Sequence, residues 1–188
     1  MIDQADLTQD LRKLLDKELL PALRKRAEAE KALDAALREE HAAAKAARRT
    51  AQAFEMWRED TLTQVGVAWV LGCVFVRFME DNGLVDAKDR FPRIAGAGPR
   101  IAGAGSSKKY AEDQRTDYFR RNGEQTDRDY LLWVFTDLAA LPACKELFST
   151  AHNPLWAGGE GGRGLLMDAD AATRLIEFFQ QVDGKDEG

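Results

Sequence analysis

The chain has 188 residues, enough for one sizeable core or for a small core with a helical extension. Charged residues make up 31% and hydrophobic ones 45%, the balance of a soluble globular protein with a highly charged surface. A formal net charge of −5 argues against a domain whose main task is gripping phosphates, though not against a local basic patch.

Cys73 and Cys144 are the only cysteines; they lie far apart, and no histidines cluster near them. A disulfide scaffold or a zinc site is therefore not expected, and a reducing cytoplasm is the natural home. The N-terminus, "MIDQADLTQDLRK", is polar from the start and does not read as a signal peptide. The most apolar run, Val65 to Val76, falls short of the ~20 residues that span a bilayer and ends at Arg77. It reads as a buried helix, and no membrane partner is expected.

Helical periodicity dominates from the first residues. Leu7, Leu11, Leu14, Leu15, Leu19, Leu20 and Leu23 recur at three- and four-residue steps and make one apolar stripe. Pro21 lacks an N–H, so it should kink or divide that segment. The next stretch, "AEAEKALDAALREEHAAAKAARR", is built of strong helix formers with few large apolar side chains. It reads as too polar for core, and as either a projecting arm or a helix packed along one narrow seam. Residues 1–50 are thus expected to form a charged helical arm, and 51–188 a helical domain.

From about Ala53 to Asp81 runs the centrepiece, "AFEMWREDTLTQVGVAWVLGCVFVRFMED", whose second half is apolar nearly all round, as in a helix enclosed by neighbours. Gly66, Ala68, Gly72 and Cys73 are small and permit close approach. Val70, Val74, Phe75 and Phe78 are expected in the core, with Trp69 at least partly buried. Asn82 and Gly83 suit the left-handed turn that closes helices. The composition then shifts, and "PRIAGAG" occurs twice in tandem, at Pro92–Gly98 and Pro99–Gly105. Two copies do not make a solenoid, which needs longer units; residues 90–108 are expected to form a flexible surface loop. Helices resume at "YAEDQRTDYFRR" and at "TDRDYLLWVFTDLAAL", capped by Thr126 or Asp127. A short "CKELF" turn leads to "HNPLW". After a glycine-rich stretch, "DADAATRLIEFFQQV" makes a last helix capped by Asp168 or Asp170. No strand series appears, and the expected fold class is all-α.

Each chemical motif has a plainer alternative. The doubled "AGAG" lacks the preceding strand and following helix that a nucleotide-binding glycine loop requires. His41 and His152 have no matched Ser or Cys partner for a hydrolase triad; one reads as solvated and the other as a turn cap. Arg77 and Asp81, four apart, read as an intrahelical ion pair, with Glu80 beside them. The basic runs Arg24-Lys25-Arg26, Lys108-Lys109 and Arg120-Arg121 are short and diluted by acids, which fits a solvated face. Lys108, Lys109, Arg120 and Arg121 remain as candidate contacts to a DNA backbone. Asn153-Pro154-Leu155-Trp156 copies three features of the Asn-Pro-Pro-Tyr loop with which DNA amino-methyltransferases hold a flipped base. That loop must follow a strand of a doubly wound sheet. Here the stretch follows a short helix, lacks the second proline, and reads as a structural turn.

The runs "AWVLGCVFVRFMEDNGL" and "TDRDYLL", followed by "HNPLW", carry a family resemblance over nearly the whole chain. They resemble the N-terminal region of the adenine-specific DNA methyltransferases of bacterial phage-defence systems of the BREX and phage growth limitation type, the PglX family. The doubled "PRIAGAG" departs from that pattern. The resemblance implies a parent enzyme that uses S-adenosylmethionine to methylate adenine and mark self DNA, with its cofactor and Asn-Pro-Pro-Tyr motifs further on. None of those positions has a counterpart here, so no catalytic, cofactor-binding or metal residue is assigned. The chain then reads as a truncated gene product, a fragment or an isolated N-terminal domain. In related modification enzymes such a helical domain embraces DNA and contacts partner subunits, which implies DNA and other defence proteins as partners. The alternative is a stand-alone helical module that binds a protein through its leucine-striped arm.

Overall fold

The computed structural model describes residues 4–85, 98–101, 107–141, 144–148, 153–157 and 162–181. Among them the secondary structure is helical, with no strand, and the fold is all-α. In chain order the helices are α1 (Gln4–Leu14), α2 (Leu20–Ala29), α3 (Lys31–Ala46), α4 (Phe54–Asp81), α5 (Ser107–Arg121), α6 (Asp127–Ala139), α7 (Lys145–Phe148) and α8 (Ala169–Gln181). Two single 3₁₀ turns, Pro154–Trp156 and Arg163–Leu166, join α7 to α8.

Pro21 does not break the leucine-striped segment. Leu15–Leu19 widens into a π turn, in which the Leu20 N–H bonds the Leu15 carbonyl, and α2 continues with proline in its first turn. A wide turn re-pairs backbone that the missing proline N–H would leave unmatched. Leu19, Leu20, Leu23 and Ala27 are buried in the common core. Of the two expectations for the charged stretch, packing along a seam is the one realised: Leu37, His41 and Ala44 of α3 are buried. His41 is thus not the solvated one of the two histidines. Its Nε2 stands 3.0 Å from the Gln52 carbonyl, and its ring packs on Phe54 and Trp57 at 5.6 and 5.4 Å.

α4 is the axis of the molecule. By length and composition it is apolar enough to cross a membrane, a test that the core helix of a soluble protein also passes. Its packing is that of a core helix: Leu62, Val65, Trp69, Val70, Cys73, Val76 and Met79 are buried, and so are Arg77 and Glu80. Val70 and Trp69 therefore lie where the sequence places them. Phe75 and Phe78 do not, being 37% and 59% exposed, while Val74 is half-buried. The physical reason lies in the sequence of the helix itself. A segment apolar on every side has no polar face to fix its rotation, so the buried side is chosen by the two glycines. A Cβ on Gly66 would meet the side chains of Leu15, Leu20 and Leu23, and one on Gly72 would stand 2.5 Å from the tip of Phe135. The glycine side faces inward, and Phe78 turns outward.

The helix ends as its composition predicts. Gly83 takes φ +61, and the N–H groups of Gly83 and Leu84 return to the carbonyls of Glu80 and Met79, the bonding pattern of a glycine-closed helix end. Asp168 rather than Asp170 caps α8, its Oδ1 accepting the Ala171 N–H at 2.7 Å. The expected surface loop over 90–108 needs correction where it is described: Pro99, Arg100 and Ile101 are buried, and Ser107 already begins α5. The first "PRIAGAG" copy up to Ala97 lies outside the described residues.

The glycine contacts give a paired expectation. Gly72→Ala pushes a methyl into a packed aromatic ring and should destabilise by about 1–3 kcal/mol, part of it offset by alanine's better helix propensity. Gly66→Ala meets the mobile end of Leu15 at 2.8 Å, where a small side-chain shift suffices. Urea unfolding should therefore rank Gly72→Ala clearly below Gly66→Ala; equal midpoints would refute the Gly72–Phe135 contact as the tight point.

Candidate functional site

The "HNPLW" stretch builds a closed structural turn from local chemistry. Asn153 precedes a proline that starts a 3₁₀ turn, and its Oδ1 accepts the Leu155 N–H at 3.0 Å. Leu155 is fully buried and Trp156 partly so, with its indole Nε1 inside the protein. Gly162 presses against this turn at φ +63, in a space where a Cβ would lie 2.4 Å from the Leu155 carbonyl oxygen. A base-holding loop needs a free amide oxygen and an open aromatic face. Here the oxygen is engaged and the ring is tucked in. His152 lies outside the described residues.

Asn153 and Pro154 nevertheless line an open groove of about 310 Å³. Its other walls are Val67, Leu71 and Phe75 of α4 and Glu146 and Leu147 of α7. With Phe78 they leave an apolar line along the outer side of α4, which the sequence could not separate from the buried side.

The four candidate phosphate contacts all fall on α5. Lys109 and Arg120 share a face about three turns, or roughly 16 Å, apart at the ~1.5 Å rise of an α-helix. Glu112 and Asp113 are exposed between them. Arg120 is spoken for by Asp117 at 2.7 Å, and Arg121 is exposed around the helix from it. Lys108 is placed only through its backbone. The structure thus puts these four residues on one helix.

The "TDRDYLL" motif, by contrast, is a joint between helices. The Thr126 N–H and hydroxyl both donate to Asp129 Oδ2 at 2.8 Å, closing a cap on α6. Asp127, nearly buried, takes both ends of the Arg115 guanidinium from α5 at 2.9 and 2.6 Å, and the Thr173 hydroxyl from α8 at 2.7 Å. The Tyr130 hydroxyl donates to the Arg100 carbonyl at 2.6 Å. The other motif behaves likewise. Arg77 and Asp81 form the expected intrahelical pair at 2.8 Å, and Glu80 accepts the Arg100 and Ile101 N–H groups. Burial pushes both cysteine thiols up, Cys73 far above the usual range, which makes them poor nucleophiles.

What these residues define is a helical domain whose distinctive motifs fasten α4, α5, α6 and α8 to one another. The chain is similar to the adenine-specific methyltransferase PglX of Streptomyces coelicolor, with 33% identity over 184 residues. The match takes in 97% of this chain and 14% of that protein, consistent with an N-terminal portion of it. The resemblance read from the two motifs is therefore shown across almost the entire chain. No protein-family profile matches the chain, and no solved structure matches it.

Two substitutions test the turn. Leu155→Ala should cost about 2–5 kcal/mol, as a fully buried leucine lost to a cavity, and Asn153→Ala about 1 kcal/mol for one local hydrogen bond. Denaturation midpoints that reversed this order would contradict a structural turn. The cap offers a pH test. Burial opposes the ionised form of Asp129, but the Thr126 N–H, Arg128 and the Thr126 hydroxyl outweigh it and hold the carboxyl below its ordinary 3.8. A folded value below the unfolded one stabilises fully above the unfolded value, and that gain is lost as pH falls through the folded value. Asp129→Asn should therefore be less stable than the parent at neutral pH, and the two should converge in acid. A constant gap from pH 7 to pH 2 would show that the carboxylate charge plays no part.

Proposed function

We infer that this chain is the helical N-terminal part of a phage-defence adenine-specific DNA methyltransferase, serving DNA engagement or assembly and not methyl transfer itself. The observation that carries this reading is the 33% identity to PglX along 97% of the chain. An S-adenosylmethionine site of the usual kind is built on a parallel sheet with a glycine loop, and the described residues are helical. The cofactor, the flipped adenine and the recognition sequence accordingly belong to the larger remainder of such an enzyme. A cytoplasmic setting follows from the same reading.

Assembly has its own support in the outward apolar line of α4 and the groove beside it, which suit contact with another protein surface. That observation also favours the second reading, an independent helical interaction module. In this variant the exposed α4 face, and not the leucine-striped arm, meets the partner, because the arm's leucines are spent on the core.

A chimera separates the readings. This chain is exchanged for the matched stretch of the Streptomyces protein, and adenine methylation and DNA affinity are measured. The inferred role predicts a chimera that methylates and binds DNA. Neutralising Lys108, Lys109, Arg120 and Arg121 together should then weaken binding and flatten its salt dependence by about one unit of slope per lost phosphate contact. Site preference should hold, since backbone contacts carry no base information. A folded chimera without methylation would favour the independent module. An unchanged salt slope would assign the four cations to solvation and leave assembly as the role. The isolated chain should show no saturable S-adenosylmethionine binding tighter than millimolar by calorimetry.

A further inference from the structure

The apolar line on the outer side of α4 has the spacing of a helix seam. Val67, Leu71, Val74 and Phe78 follow at steps of four, three and four, with Phe75 beside them. That is the repeat by which one helix receives another lengthwise. At ~1.5 Å per residue the seam is about 16 Å long, or three turns. The groove of about 310 Å³ runs beside it, walled on its far side by Glu146 and Leu147 of α7. The ridge of side chains on a helix fills such a groove, whereas a flat surface would leave it hollow.

The charge of this face has one sign. Glu146 is the one charged residue among those that line the groove, and no ion pair reaches it from the described residues. Asp60 and Asp81, both exposed, bracket the seam along α4. A two-fold contact with a second copy would bring this acidic patch against itself. The complementary surface is a helix with lysine or arginine on its flank.

Area decides how such a helix is delivered. Val67, Leu71, Phe75, Phe78 and Leu147 are between 36% and 59% exposed. At roughly 180 Å² per side chain they offer about 400 Å², and a three-turn helix covers little more than that strip. A stable complex of separate proteins takes about 800 Å² from each side. A tethered helix needs less, because the tether raises its effective concentration to the order of millimolar. Most of the Streptomyces protein lies outside the stretch that this chain matches. We propose that the groove between α4 and α7 seats a basic amphipathic helix from the rest of the methyltransferase chain, packed along Val67–Phe78 with a cation facing Glu146. This contact rests on the N-terminal role inferred above and supplies its assembly surface.

A thiol placed on the seam tests the contact. Leu71 is exposed, whereas Cys73 and Cys144 are buried. Iodoacetamide should alkylate Leu71→Cys quickly in the isolated chain. In the chimera with the Streptomyces remainder, labelling of the α4 peptide read by mass spectrometry should slow by more than 10-fold. Ala35→Cys, at an exposed position of α3, should label at one rate in both. Adding Glu146→Lys should speed labelling of the Leu71→Cys chimera by about 3-fold or more, as one surface ion pair is lost, and leave the isolated chain unchanged. A methylating chimera that labels Leu71→Cys as fast as the isolated chain would overturn the groove contact and leave the N-terminal role standing. A Glu146→Lys chimera protected as well as its parent would overturn the basic helix. Protection in the isolated chain that grows with its concentration would give the face to a second copy. A folded chimera without methylation would strike the role itself, and the contact with it.

Discussion

The contact between Gly72 of α4 and Phe135 of α6 sets the geometry around which the other helices are arranged. The tip of the ring occupies the space a side chain on residue 72 would fill, so α4 takes Phe135 directly against its own backbone. Phe135 also packs against Trp69 at 5.7 Å and stacks on Phe148 of α7 at 5.5 Å. One aromatic side chain thus fixes the rotation of α4, anchors α6 and seats the short helix leading to the Asn153 turn. With the glycine side turned inward, the outer residues of α4 are decided too. Val67, Leu71, Phe75 and Phe78 are left as an apolar line because the packing that holds α4 cannot use both of its sides.

Charge does the remaining fastening, and it does so at few points. Asp127 joins α5 and α8 to the start of α6, and Glu80 joins α4 to the chain between α4 and α5. On the opposite flank, Arg26 of α2 bonds the Leu165 carbonyl at 2.8 Å, and Arg163 pairs with Glu40 of α3. Buried ionic groups of this kind add little net stability against an apolar replacement, because desolvation cancels most of the attraction. Their effect is on which arrangement forms. A carboxylate in a helical core excludes every packing that leaves it without donors. Asp127 and Glu80 therefore select one mutual placement of helices that apolar surface alone would leave loose.

Much of this was open to reading from the residues, and the failures have physical causes. Leucine spacing, alanine-rich composition and capping residues locate the helices, because period and cap are local properties of sequence. Thr126, Asp168 and Gly83 act where local chemistry puts them. The Asn153 turn was equally readable, since Asn-Pro closes on its own backbone. The facing of α4 was not, because its apolar residues leave no contrast, although Gly66 and Gly72 carried the answer. The burial of Arg100 and Ile101 was hidden for a different reason. Glycine and arginine are residues of loops, and only a distant carboxylate and tyrosine make a buried loop segment affordable. The same holds for His41, whose alanine neighbours give no hint of Phe54 and Trp57. For the site, the sequence named the right motifs but not their office, and the groove on α4 has no signature in one dimension.

That office bears on how similarity to the methyltransferase should be weighed. In an enzyme, identity concentrated on polar residues in a cleft would speak for shared chemistry. The polar residues of the two motifs on which the resemblance is read are Arg77, Glu80 and Asp81 on α4 and Thr126, Asp127 and Asp129 at the head of α6. Each is engaged by another part of the same domain or by its own helix end. Residues at such positions set the way helices meet, and with it the shape of the outer surface. The long apolar side of α4, set by Gly72 against Phe135, is a part of that surface whose burial by a neighbour would take exposed hydrocarbon out of water.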